Sequence, residues 1–374
     1  MKIKTLFIFF AFILPALNAY GQSNKPVERA KVRLIYSSDL YFPPDDPDDW
    51  FDLATLFATP EIEVLGIILD QQLYDRRPQS EGTGAVPLKQ MFEISGRTAP
   101  NGVGLRKALR GIDDTGLDQD AGCQKGAEMI LDLLGKTEGR VILLTVGTGR
   151  DIAAAYNRNP GLFRKKVSKL YINSGIYGFP RGRMDVNLEK DRNAFIAIMK
   201  SGLPVYWAPC FGESNYETYW QAGQGKVLEG ATRRLQNYFL YAFSKGTGKI
   251  GPAADLAIAD PLEFLNRPLD TDELRKVYGL TRNMWSTATF LDAAGLKIYR
   301  NKQGEYTASR RPVGDFMREV KPYSFKRMKV FIDDQGRVHP QKPGNIEVFV
   351  LHKNNTDEYR NSLESILKKK FGEF

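Results

Sequence analysis

Cysteine is scarce in this chain: Cys123 and Cys210 are the two among 374 residues. Two cysteines do not make a disulfide framework, which leaves one bridge or two buried thiols. Histidine is as sparse, and His339 and His352 both fall in the C-terminal elements. Beyond the N-terminus no segment is apolar enough to span a bilayer, so no membrane-embedded body is expected. No linker rich in Pro, Ser and Gly divides the sequence, and nothing points to disorder, collagen or a repeat array. With 42% hydrophobic and 26% charged residues the composition is that of a globular protein, and the missing linker favours one domain over two.

The first residues read as a secretory signal peptide over 1–21. Lys2 and Lys4 precede an apolar core from Leu6 to Leu14, and Ala19-Tyr20-Gly21 offers a small-x-small cleavage site before Gln22. The apolar run is short for a transmembrane anchor, and no cysteine near the site suggests a lipid anchor. An exported protein, periplasmic or secreted, is expected. Removing the leader takes two lysines and no acid, so the net charge falls from +9 to +7. The densest basic patch, Ser309 to Lys329, interleaves aromatics with Lys and Arg. No nucleic-acid motif accompanies it, so it reads as a solvated connection rather than a polyanion surface, and no nucleic-acid partner is expected.

Strand and helix signals alternate. VRLIYSS (32–38), IEVLGIIL (62–69), RVILLTV (140–146), KLYINSG (169–175) and LPVYWAPC (203–210) are apolar runs of the kind buried in a parallel sheet. Helical segments lie between them, including one reading of EKDRNAFIAIMKSG (189–202) as a single helix. The fold class is therefore α/β, an open, mostly parallel Rossmann-like sheet with helices on both faces. Ligands of such sheets bind beyond the carboxyl ends of the strands. Asp39, the Gly147-Thr148-Gly149-Arg150 turn, Asn173-Ser174-Gly175 and Cys210-Phe211 all follow strands and are predicted to share one rim.

At that rim the sequence gathers acids. Asp39 ends a strand, a Pro-rich loop brings in Asp45 and Asp46, and Asp48 and Asp49 open a helix. Capping and the helix dipole account for one or two of them. A hard cation with oxygen ligands would account for Asp39 as well. The loop does not have the spacing of an EF-hand.

This segment resembles the opening motif of the inosine–uridine-preferring nucleoside hydrolase family. There a strand ends in Asp-x-Asp, and after a short loop an Asp-Asp pair starts a helix. Here only Asp39 stands for the first pair, and the loop to Asp48-Asp49 is longer. PEIEVLGI resembles the family's second strand. RVILLTVGTGRDIAAAYN and KLYINSG resemble its Gly-rich turn and the strand ending in Met-Gly-Gly. DVNLEKDRNAFIAIMKSGLPVYWAP resembles its Glu-Phe-Asn segment, helix and strand. The likeness runs in order from Val32 to Pro209 and returns weakly in the last strand and helix.

The resemblance implies one nucleoside hydrolase-like domain over residues 22–374, a Ca²⁺ cofactor and hydrolysis of N-glycosidic bonds in nucleosides or related ribosides. It implies Asp39 and Asp49, with Asp48 beside them and a main-chain carbonyl at Arg150, as the metal set. Asp39 would also serve catalysis. Asp48, Asp185 and Asn187 would hold ribose hydroxyls, with Asn173 on the same rim. Family members are often dimers or tetramers, which implies a homo-oligomer, though no interface is visible in the sequence. The chain departs from the pattern late: the family's His-Asp pair has no match. Asp260, in an Asp-Pro-Leu, and the segment with Ser286 and Thr287 compete for its place, and the second fits the distance to the C-terminal elements better. The alternative function on this fold is a non-catalytic nucleoside- or sugar-binding protein.

Overall fold

The two strands read most clearly from sequence form as written: β1 is Val32–Ser38 and β2 is Ile62–Leu69. Between them the helix α1, Asp48–Phe57, buries nearly its whole length. The structure, a computed structural model, describes residues 30–40, 48–70, 84–183, 185–213, 216–246 and 261–374. The signal peptide, Asp45, Asp46 and Asp260 lie outside the described residues. From Lys31 onward the chain forms one compact unit.

After β2 come α2 (Ala85–Ser95), β3 (Asn101–Val103), α3 (Lys125–Lys136), β4 (Val141–Thr145), α4 (Arg150–Arg158), α5 (Pro160–Lys166) and β5 (Val167–Ile172). A short β6 (Ile176–Tyr177) follows, then α6 (Val186–Lys190), α7 (Arg192–Lys200), β7 (Val205–Trp207) and β8 (Phe211–Gly212). The second half holds β9 (Trp220–Gly223), α8 (Gln224–Leu228), α9 (Arg233–Gly246), α10 (Pro261–Asn266), α11 (Thr271–Tyr278), β10 (Thr281–Met284) and α12 (Thr287–Ala293). The chain closes with β11 (Lys297–Arg300), β12 (Tyr306–Ser309), β13 (Arg318–Val320), β14 (Tyr323–Ile332), β15 (Val338–His339), β16 (Ile346–Lys353) and α13 (Thr356–Gly372).

The main sheet runs β3-β2-β1-β4-β5-β7-β16-β14-β15-β6-β8. Every pairing from β3 to β16 is parallel, and β14 is antiparallel to both β16 and β15. Successive side chains of a strand serve opposite faces. Leu34 and Tyr36 of β1 and Leu144 of β4 join the core under α1, α9, α12 and α13. Ile35 and Leu143 join the core under α3, α4 and α7. The sheet is thus covered on both sides, as its continuous apolar strands require.

Register places the strand ends side by side. Ser37 of β1 is level with Thr145 of β4, which is level with Ile172 of β5. The ladder then runs one step past the strands: Val146 donates its N–H to the Ser37 carbonyl at 3.0 Å, and Asn173 to the Thr145 carbonyl at 3.1 Å. Asp39, Val146 and Asn173 therefore lie on one rim. Cys123 and Cys210 are both buried and no disulfide joins them. Among the described residues no helix is long and apolar enough to cross a membrane.

Candidate active site

At the end of β1 the backbone stops pairing and Asp39 is left nearly buried, with Asp49 buried beside it. The first turn of α1 is held by Asp48, whose Oδ1 accepts the Asp49 N–H at 3.0 Å. Ser38 Oγ donates to Asp49 Oδ1 at 3.1 Å. Asp39 is close enough to Asp49 for its charge to act on the Asp49 carboxyl. Burial pushes the Asp49 carboxyl well above the usual range, and the charges of Asp39, Asp48 and Asp52 push it further the same way. The field reaches the neighbouring phenols: Tyr36 and Tyr238 are raised well above the ordinary value, first by burial and then by these acids.

Two neighbouring buried carboxyl groups repel unless they share a proton or a cation. A hard divalent ion suits them, since all the donors are oxygens. Among the described residues no three or more Asp, Glu, His or Cys side chains converge as metal ligands. Asp39 and Asp49 therefore fit as part of a coordination shell whose remainder would be carbonyl, hydroxyl or water oxygens.

The glycine turn beyond β4 is a built corner. Asp70, one residue past β2, accepts from the Thr148 N–H at 2.6 Å and from its hydroxyl at 2.7 Å. A Cβ on Gly147 would stand 2.5 Å from that Asp70 carboxylate, so the approach needs glycine. Arg150 opens α4. Its side chain runs to Asp191 Oδ2 at 2.6 Å and to the Leu105 carbonyl at 3.0 Å. As the first helical residue its carbonyl is directed along the α4 axis. Before the turn the Val146 carbonyl accepts from Asn187 Nδ2 at 2.7 Å. Sequence reading missed Val146 because a main-chain oxygen carries no residue signature; its position just after a buried strand and before Gly147 was the available signal.

At the end of β5, Asp185 holds the loop. Its Oδ2 accepts from Ser174 Oγ at 2.7 Å, from the Gly175 N–H at 2.6 Å and from the Leu188 N–H at 3.0 Å. That last bond caps α6 and positions Asn187 over Val146. Asn173 is 3% exposed, and neither its side-chain oxygen nor its nitrogen has a hydrogen-bond partner among the described residues. Buried amides in this state are rare and call for a ligand, ion or water.

The late segment reaches the same neighbourhood. α12 packs against α1, and its Phe290 ring lies 5.6 Å from that of Tyr36. Ser286, just before α12, is fully buried with no partner for its Oγ among the described residues. Thr287 Oγ1 is occupied by the Trp220 indole N–H at 3.2 Å. Trp285 carries an aromatic row outward, its ring 5.2 Å from Phe211 and 4.7 Å from Tyr219. The histidines are engaged elsewhere: His339 Nε2 meets Asp333 at 2.8 Å, and His352 Nε2 lies 3.5 Å from Met328 Sδ. Tyr216 donates its phenolic proton to the Leu351 carbonyl at 2.8 Å.

No family model matches the chain, and no curated protein matches it by sequence. Solved structures do match. An inosine–uridine preferring nucleoside hydrolase from Bacillus anthracis aligns at TM-score 0.50 with 13% identity, over 91% of this chain and 99% of that one. A plant nucleoside hydrolase aligns at TM-score 0.51 with 16% identity, over 91% and 99%. The type III effector protein XopQ, complexed with adenosine diphosphate ribose, aligns at TM-score 0.54 with 14% identity, over 92% and 95%. The likeness is one of fold.

Proposed function

We propose that this chain, which has the nucleoside hydrolase fold, cleaves N-glycosidic bonds in nucleosides or related ribosides. The observation that supports this most is the pair of buried acids Asp39 and Asp49 at the strand-end rim that also carries Asn173, whose buried amide has no hydrogen-bond partner among the described residues. Breaking the bond from ribose C1′ to a base nitrogen builds positive charge on the sugar. The carboxylates of Asp39, Asp48 and Asp49 set a negative potential where that charge forms. Asp39 acts as general base toward the attacking water. Asp48, Asn173 and Asn187 hold the ribose hydroxyls, and Asp185 keeps Asn187 in place. Fixed geometry of this kind contributes through orientation. Asp39 and Asp49 would hold Ca²⁺; when bound, such an ion supplies a more acidic water and a template for vicinal hydroxyls. Export through residues 1–21 is part of the same proposal.

A second reading, a riboside-binding protein without turnover, is favoured by one feature. The histidines and the Tyr216 proton have other partners, so among the described residues no acid is evident for protonating a departing base. A positioned acid contributes about 10²–10⁴-fold. The test compares p-nitrophenyl riboside, whose leaving group needs no proton, with inosine on one calcium-loaded preparation, using Asp39→Asn as the blank. The hydrolase reading expects the p-nitrophenyl compound to turn over far faster. Equal rates would point to an acid elsewhere in the chain that protonates the base. Binding of both without turnover would leave the second reading.

A further inference from the structure

Next to the Asp185 loop the rim changes character. A cavity of about 350 Å³ is lined by Phe179, Arg181, Arg183, Phe211, Glu213 and Glu217. Its walls come from β8 and from the segments that follow β6 and β8. β8, which contains Phe211, pairs with β6, and Cys210 donates its N–H to the Gly175 carbonyl at 3.0 Å. Arg183 stands two residues before Asp185, the carboxylate that holds Ser174 and Gly175.

The charges in this cavity are unequally engaged. Glu213 is drawn to the wall, where its Oε1 accepts the Phe179 N–H at 2.8 Å. Gly178 permits that approach: its φ is +86°, and a Cβ there would stand 2.5 Å from the Glu213 side chain. The Arg183 guanidinium lies over the Phe211 ring, 5.1 Å from the centroid, and 3.9 Å from Glu217. That separation is beyond hydrogen-bond reach. Arg181 is exposed and makes no ion pair among the described residues. Phe179 keeps 48% of its surface open at the cavity wall. Two guanidinium forks with donors to spare, beside an aromatic wall, suit a phosphate ester better than a neutral group.

We infer that this cavity takes the phosphate of a phosphorylated riboside seated at the acidic rim, so nucleotides are preferred over nucleosides. The inference rests on the riboside reading of that rim. It is tested by calorimetric titration of the full chain carrying Asp39→Asn with adenosine, adenosine 5′-monophosphate and inorganic phosphate. The monophosphate should bind at least about tenfold more tightly than adenosine, in keeping with the strength of charge-assisted hydrogen bonds. Arg181→Gln, at an exposed position, should lose part of that gain, and Arg181→Gln with Arg183→Gln nearly all of it. Adenosine affinity should stay unchanged in both. Equal affinity for the two ligands overturns the inference, as does a gain that survives the double variant. Inorganic phosphate binding as tightly as the monophosphate also overturns it, by revealing a free-anion site. An arginine-dependent gain without turnover by the unmutated chain keeps the cavity and removes the hydrolase reading. Turnover of inosine without any gain from phosphate does the reverse.

Discussion

Asp191, behind the glycine turn, is met by Arg150 at 2.6 Å and by the N–H groups of Leu109 at 2.9 Å and Ala194 at 3.0 Å. Asp49, at the mouth of the same rim, is met by one serine hydroxyl and faces the charges of other acids. Burial raises both acids, but the Arg150 charge pulls Asp191 back down, while Asp39, Asp48 and Asp52 push Asp49 further up. A buried carboxylate that the fold supplies with a cation and N–H donors is part of the frame. A pair left against each other is stable only with a proton or a cation from outside. The contrast separates the acids that build the rim from those that work at it.

The largest expected effect breaks the framed cluster. Arg150→Met leaves Asp191 fully buried without its cation, and removing one partner of such a pair costs about 3–5 kcal/mol. Urea unfolding reads this directly. Asp49→Asn, measured in chelator, should stay within about 1 kcal/mol of the parent, because it removes a repulsion along with a hydrogen bond. If the two variants are equally destabilised, the contrast between the clusters is wrong.

The next effect sharpens the open site. An ion that binds only the folded state at a hundredfold excess over its Kd adds about 2.7 kcal/mol. Calcium should raise the melting temperature of the parent by a corresponding amount, and Asp49→Ala should abolish the rise. A parent that melts at one temperature in chelator and in excess calcium has no such site.

The same contrast explains what was legible in the sequence. Asp39 and Asp49 were visible because a strand end and a helix start are local patterns. β1 and β2 were visible because burial on both faces leaves an unbroken apolar run. The framed cluster was not visible, since Thr148 and Asp70 are 78 positions apart and Arg150 and Asp191 are 41 apart. That second pairing also broke a helix. EKDRNAFIAIMKSG reads as one segment, but Asp191 sits at φ −153° between α6 and α7, capping α7 while it holds Arg150. In the second half β9 to β13 are short, with mixed burial; β9 pairs with β10 far along the chain, while β11 pairs with the nearby β12 and β13 without an apolar run to mark them. Ser286 was singled out only by its distance from the C-terminal elements; that it is buried beside the helix carrying Asp49 required the packing of α12 on α1.

The smallest effect concerns the one acid of the framed cluster that the frame does not fully serve. Asp151 accepts the Leu105 N–H on Oδ1 at 3.1 Å, while its buried Oδ2 has no hydrogen-bond partner among the described residues. Gly104 and Gly126 pack so closely against the carboxyl group that neither position has room for a Cβ. Burial, with the Asp70 charge adding to it, pushes Asp151 from 3.8 up to about 7. Between those values the folded chain keeps a proton that the unfolded chain has released. Rising pH therefore favours the unfolded state: the stabilisation is fully present below about pH 4 and is lost as the pH climbs toward 7. Each pH unit inside that window is worth about 1 kcal/mol. Asp70 and Asp191 are raised too and tilt the parent the same way, so the absolute slope is not diagnostic. The difference between Asp151→Asn and the parent is. The asparagine cannot titrate, so its stability relative to the parent should improve by about 1 kcal/mol for each pH unit between pH 5 and 6.5, whatever its offset at the start. A constant difference across that range would mean that Asp151 is already ionised at pH 5, and that the framed cluster serves it as fully as it serves Asp191.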